Sequence, residues 1–211
     1  MKRGAFITLE GIEGAGKSTL AVSLLARLKA WPVAAHLTRE PGGTPLAERI
    51  RAVVLERGAE SISPAGETLL MFAARSVHLE NLVRPRLARG EWLICDRFTD
   101  ATRAYQGAGR GVDRAWIESL AAQVHGDLEP DLTLLLDLPV ALGLARAAAR
   151  RGTADRIEAE RSEFFERVRA GYLQLAAAHP QRIVVIDAAR TVTEVGQAAG
   201  AALEQLLRAR A

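Results

Sequence analysis

Eight residues near the start of the chain set most of what it can fold into. Gly11-Ile12-Glu13-Gly14-Ala15-Gly16-Lys17-Ser18 reads G-x-x-x-x-G-K-S. An apolar run, Ala5 to Leu9, precedes it. An amphipathic pattern follows, with Leu20, Leu24, Leu25 and Leu28 on one face. Strand, glycine-rich turn and helix in that order make a phosphate cradle. Glycines let the backbone pass close to a phosphate and turn successive N–H groups inward. The helix start adds its positive dipole end. Lys17 is placed to reach the β- and γ-phosphates, and Ser18 to ligate Mg²⁺. The ATP-binding candidates here are Gly11, Ile12, Glu13, Gly14, Ala15, Gly16, Lys17, Ser18 and Thr19.

Four further apolar runs are likewise about strand length: Val33 to Leu37, Trp92 to Cys95, Leu132 to Leu136 and Ile183 to Ile186. Continuous runs of that length suit strands buried on both faces of a parallel sheet. Helical stripes separate them. One runs through Leu69, Phe72, Ala73, Val77 and Val83. Others run through Trp116, Ile117, Leu120 and Val124, then Phe164, Phe165, Val168, Tyr172 and Leu175, and finally Val192, Val195, Ala199, Leu203 and Leu206. Thr191 with Glu194 fits a capping box for the last helix. Strand alternating with helix predicts a doubly wound α/β fold, a P-loop NTPase with a five-stranded parallel sheet, folded as one domain over 1–211. Ligands of such sheets bind at the carboxyl ends of the strands.

Composition excludes more than it selects. The 28 Lys and Arg against 25 Asp and Glu leave a net charge of +3, too small to argue for nucleic acid. A single cysteine, Cys95, rules out an internal disulfide framework and a thiolate zinc site. His36, His78, His125 and His179 have no metal-ligand spacing. No run approaches a membrane span, and no secretory leader pattern opens the sequence, so a cytoplasmic protein is expected. Asn81 is the only asparagine, so a guanine-reading N-K-x-D motif is impossible. Adenine nucleotide is the better reading.

The third run ends in Asp96-Arg97-Phe98. An acidic residue there, in a phosphate-loop fold, orients Mg²⁺ directly or through water. The adjoining Arg97 can offset charge on a transferring phosphoryl group. Thr102, Tyr105 and Gln106 then supply hydrogen bonds and a ring for a small heterocycle.

Together these segments resemble the bacterial form of thymidylate kinase, a nucleoside monophosphate kinase, over nearly the whole chain. The resemblance rests on Leu9-Glu10-Gly11, Thr38-Arg39-Glu40-Pro41-Gly42-Gly43-Thr44, Phe72-Ala73-Ala74-Arg75, and Asp96-Arg97-Phe98 through Ala104-Tyr105-Gln106. Pro130-Asp131-Leu132-Thr133, Asp155-Arg156-Ile157-Glu158 and Phe164-Phe165 extend it. It implies Mg-ATP as donor, dTMP as acceptor and a homodimer. It implies that Glu13 sits near the sugar and the transferring phosphate, that Arg39 shapes the acceptor side, and that Arg51 contacts the acceptor phosphate. Arg75 would bond thymine and Arg97 would bridge both phosphates. Thr102 and Gln106 would approach the base, and Tyr105 would lie against the sugar. The family carries an aromatic residue four positions before the base-reading arginine. Here Met71 holds that place and Phe72 is one position later; Phe72 is the favoured cover for the base.

Arg146, Arg150, Arg151 and Arg156 flank Gly152-Thr153-Ala154. The phosphate loop carries Gly14 and no arginine, so the resemblance implies a lid around 146–158 that supplies the catalytic arginine. Arg150 or Arg151 is expected in that role, with Arg146 and Arg156 beside ATP and adenine near Asp187 and Ala188. Two other readings stay open: a kinase for another nucleoside monophosphate, and a non-enzymatic ATP-binding regulator. The regulator has no need of Arg39, Arg51 and Arg97.

Overall fold

The computed structural model describes residues 3–58, 60–149 and 155–210. All five apolar runs form strands: β1 (Phe6–Glu10), β2 (Ala35–Arg39), β3 (Trp92–Asp96), β4 (Leu132–Asp137) and β5 (Ile183–Asp187). They make one sheet in the order β2-β3-β1-β4-β5, with every pairing parallel. β1 lies in the middle, and each of its residues is buried. The chain crosses to β2 and β3 on one side of β1, then to β4 and β5 on the other. That reversal opens a crevice beyond the carboxyl end of β1.

The helices are α1 (Lys17–Leu28), α2 (Pro45–Leu55), α3 (Pro64–His78), α4 (Arg84–Ala88), α5 (Thr99–Thr102), α6 (Arg114–Val124), α7 (Val140–Ala148), α8 (Ser162–Ala178) and α9 (Val192–Arg210). Their starts follow local chemistry. Thr44 and Ser63 cap α2 and α3 through Ala47 N and Gly66 N, each with proline in the first turn. Thr191 and Glu194 exchange the reciprocal bonds of a capping box (Glu194 N to Thr191 Oγ1, 3.3 Å; Thr191 N to Glu194 Oε2, 3.0 Å). α1 differs: Gly16 precedes it in a left-handed conformation and no side chain caps its first N–H groups. Those donors face the crevice, where an anion can take them.

Two wider turns join elements without breaking them. Leu79–Val83 carries α3 into α4, and Arg103–Gly109 continues α5, both as π-helix. α3 departs from its expected stripe. Leu69 and Ala73 are exposed, while Met71, Phe72, Ala74, Arg75 and His78 are buried. Its inward face carries charge because Glu40, just beyond β2, pairs with both Arg75 and His78.

At the amino edge of the sheet, Arg3 and Arg210 both bond Asp131 Oδ1, and Arg210 also donates to the Arg3 carbonyl. Among the described residues no helix is long and apolar enough to cross a membrane.

Candidate active site

The glycine-rich loop is shaped by contacts that leave no room for side chains. A Cβ on Gly14 would stand 2.0 Å from the Gly143 carbonyl in α7, and one on Gly11 would stand 2.4 Å from the Leu136 carbonyl. Lys17 folds back over the loop and donates to the carbonyls of Gly11 and Ile12, both at 3.0 Å. Burial, then the neighbouring Arg97 charge, lowers its pKa to about 8. Ser18 Oγ donates to Asp96 Oδ2 at 3.4 Å. Asp96 Oδ1 is buried with no hydrogen-bond partner. An orphaned carboxylate oxygen beside a hydroxyl suits a hydrated divalent cation held mainly by phosphate. Among the described residues no cluster of three or more His, Cys, Asp or Glu competes as a metal site.

Three cavities surround this loop. One of about 440 Å³ is lined by Lys17, Ser18, Arg39, Asp96 and Arg146 among others. A second, about 280 Å³, runs from Gly14 and Thr19 past Arg146 to Ala188 and Val192. Arg146 Nη1 donates to the Ala188 carbonyl at 2.7 Å, joining α7 to the loop after β5. The third, about 90 Å³, is bounded by Met71, Arg75, Phe98, Thr102, Tyr105 and Gln106 among others. The first and third meet: Glu13, Glu40, Arg51, Arg97 and Asp155 line both.

Arg97 stands at that junction. Its φ of 72° lies in the left-handed region, the only such non-glycine residue described; such strain persists only where the surroundings impose it. Nη1 donates to the Gly11 carbonyl (2.9 Å) and Tyr172 Oη (3.0 Å). Nη2 donates to Glu13 Oε1 and Tyr105 Oη, both at 2.9 Å. The Tyr105 ring lies 4.6 Å beneath the guanidinium. Burial works against its charge, but the oxygens of Tyr105, Tyr172, Glu13 and Asp96 outweigh that and keep Arg97 cationic. Glu10 anchors the arrangement from below, accepting from Tyr172 Oη (2.6 Å) and from Phe98 N (2.8 Å). Burial, then Asp100, raises the Glu10 pKa to about 8.

Arg39 forks onto Glu48, and Arg51 Nη1 donates to the Pro41 carbonyl at 2.9 Å. Burial, then the charge of Arg39, lowers the Arg51 pKa. Cations gathered this closely repel one another until an anion arrives. In the small cavity, Arg75 bonds Glu40 Oε2 (2.6 Å), the Phe98 carbonyl and Thr102 Oγ1 (both 3.1 Å), and its buried Nη1 has no partner. A donor left unpaired in a pocket wall is costly unless a ligand takes it.

A profile of the family described as thymidylate kinase matches residues 9–199. The chain belongs to that family. Thymidylate kinases of Pseudomonas fluorescens (strain SBW25) and Alkalilimnicola ehrlichii are 57% and 54% identical to it, over 97% and 92% of this chain and 97% and 90% of theirs. The crystal structure of thymidylate kinase from Ehrlichia chaffeensis matches with a TM-score of 0.77 at 31% identity, covering 97% of this chain and 99% of that one.

Most residues singled out from sequence gather at the crevice, with two differences. Met71 lines the small cavity and Phe72 does not. Phe72 packs with Ile117 and Ala121, its ring 4.9 Å from the Arg75 guanidinium. One residue turns a helix by about 100°, so only one of the pair can face the pocket. Phe72, the residue expected over the base, therefore packs away from the small cavity, and Met71 and Phe98 line its wall. Arg156, expected beside ATP, instead bonds Glu67 Oε2 (2.6 Å) and the Val54 carbonyl (2.8 Å), and lines none of the three cavities. Arg150, Arg151 and Gly152 to Ala154 lie outside the described residues. Sequence reasoning passed over Glu40, Phe98 and Asp155. All three stand inside quoted motifs, where only their neighbours were given roles.

Proposed function

We infer that this chain transfers the γ-phosphoryl group of ATP to dTMP, giving dTDP and ADP. The observation that carries this is the junction of two pockets at Arg97, Glu13 and Arg51. A nucleotide-binding regulator needs one pocket; a phosphotransferase needs two that share a wall of cations.

The triphosphate lies along the loop and the first N–H groups of α1, with Lys17 released from the Gly11 and Ile12 carbonyls onto the β- and γ-phosphates. Adenine occupies the cavity beside Ala188. The acceptor base enters between Met71 and Phe98, where Arg75 Nη1 meets a carbonyl of the ring. Arg51 and Arg39 hold the acceptor phosphate. One of its oxygens attacks γ-phosphorus in line, the bond from γ-phosphorus to the bridging oxygen breaks, and ADP leaves. Arg97 spans the charge that spreads over the transferring group, so little covalent work falls to the protein. Ser18 and Asp96 would hold Mg²⁺, which when bound neutralises charge on the β- and γ-oxygens. The 146–158 segment serves as a lid, with Arg150 or Arg151 as its catalytic cation. The working unit is a homodimer, a reading supported by Leu46, Val53 and Leu69, all at least half exposed on α2 and α3.

The test is ADP release from Mg-ATP with dTMP, dUMP, dCMP, dGMP, AMP, UMP or no acceptor. Strong turnover with dTMP, weaker with dUMP and little elsewhere is the expected pattern. Preference for another monophosphate overturns the base assignment, and ATP binding with no turnover favours the regulator.

A further inference from the structure

Glu67 is 1% exposed, yet it lines none of the three cavities and no motif claims it. A carboxylate so deeply buried persists only when paired. One of its partners, Gln106, lines the acceptor cavity, and another, Arg156, is flanked by Asp155 and Ile157, which line it too. Oε1 accepts from Gln106 Nε2 at 2.7 Å and from Arg110 Nε at 3.3 Å. Oε2 accepts from Arg156 Nη2 at 2.6 Å and from Arg110 Nη2 at 3.3 Å. Burial pushes its pKa up, but the bonds from Gln106 and Arg156 and the charges of Arg110 and Arg156 outweigh that and hold it low.

We propose that Glu67 is a positioning residue that ties residues 155–160, part of the wall of both pockets, to Gln106 on the acceptor side. The 155–160 stretch is held at two points. Arg156 reaches Glu67 directly, and Glu160 Oε1 accepts from Arg110 Nη1 at 2.6 Å, the same guanidinium that touches Glu67. Around the first anchor a turn closes on Asp155 Oδ1, which accepts from Ile157 N (2.9 Å) and Glu158 N (2.8 Å). Asp155 lines both the donor and the acceptor cavity, Ile157 the acceptor side and Glu158 the donor side. Gln106 is 2% exposed and lines the acceptor cavity. Its amide nitrogen is committed to Glu67, which fixes the orientation of the amide. One carboxylate therefore sets both the acceptor wall and the stretch that meets the donor.

The kinetic arm of the test rests on the dTMP kinase reading; the exchange arm does not. In Glu67→Gln without ligands, amide exchange at Arg156, Ile157 and Glu158 should quicken by about tenfold, the equivalent of losing one charge-assisted hydrogen bond, while the β1 amides keep their protection. The KM for dTMP should rise about fivefold with the KM for ATP within about twofold, as expected when positioning on the acceptor side loosens. Unchanged exchange at these amides overturns the tie. Faster exchange spread equally over β1 overturns it too, since the role is then only structural. Unchanged KM for dTMP with faster local exchange overturns the link to the acceptor wall. If Glu67→Gln does not fold, Arg156→Met is read by the same measurements, because it leaves Glu67 with Arg110 and Gln106. A wild-type chain inactive on dTMP removes the kinase reading and leaves the exchange arm decisive for the tie.

Discussion

A left-handed arginine is an expensive way to aim a cation, and Arg97 is held so by four bonds to three elements: the phosphate loop, the Arg103–Gly109 turn and α8. Arg97→Ala should lower kcat/KM for dTMP by about 10³-fold, the usual loss when a preorganised charge on a transferring group is removed, and shift Tm little. Steady-state kinetics beside a melting curve separates the two effects, and near-normal turnover would remove Arg97 from the transition state. Met71 and Phe72 divide their roles in the same way. Met71→Ala should raise the KM for dTMP with little change in stability. Phe72→Ala should destabilise the fold by about 3 kcal/mol, as emptying a buried aromatic site does, and leave that KM almost unchanged in the folded fraction. Lys17 adds a pH signature. Its folded pKa, about 8, lies below the ordinary 10.5, so its cost to stability is complete below pH 8 and is relieved as pH rises from 8 to 10.5. Bound phosphate favours the ammonium form. ATP binding at pH 8 should therefore take up protons, seen by calorimetry in buffers of different ionisation enthalpy, and the uptake should vanish in Lys17→Met.

At the scale of elements, the sheet was legible and its supports were less so. Each strand announced itself as a short continuous apolar run, because β1, β3 and β4 are covered on both faces and tolerate little else. The loop and the first turn of α1 were legible because glycine spacing states a backbone requirement directly. α3 was misread because its inward side chains include Arg75 and His78, whose partner Glu40 lies far away in sequence. Apolar periodicity has no access to such pairs. The placement of Arg156 was hidden for the same reason: its guanidinium bonds Glu67, and nothing in local spacing marks a buried carboxylate. α7 carries a prediction of its own. A Cβ on Gly143 would lie 2.7 Å from the Glu13 carbonyl, so α7 packs backbone to backbone against the phosphate loop. Gly143→Val should push the loop out of shape and raise the KM for ATP at least about tenfold, while circular dichroism stays native. An unchanged KM would mean that the loop keeps its shape without α7.

At the scale of the whole molecule, both catalytic pockets lie at one end of the sheet, and the exposed apolar side chains of α2 and α3 lie outside them. Sedimentation should give twice the 22.7 kDa of one chain, and Val53→Glu should shift it toward a single chain, since a buried unpaired carboxylate is costly at an interface. A mass unchanged by that substitution would place the contact elsewhere. The opposite end of the sheet is closed by Asp131, which holds Arg3 and Arg210 together. That clasp makes the backbone almost a ring with a seam. Sewn there with a short linker and cut instead at the exposed Gly126–Asp127 turn, the same residues would run in a different order through an unaltered crevice. The seam is also where an added label or surface tether would stand clear of both nucleotides.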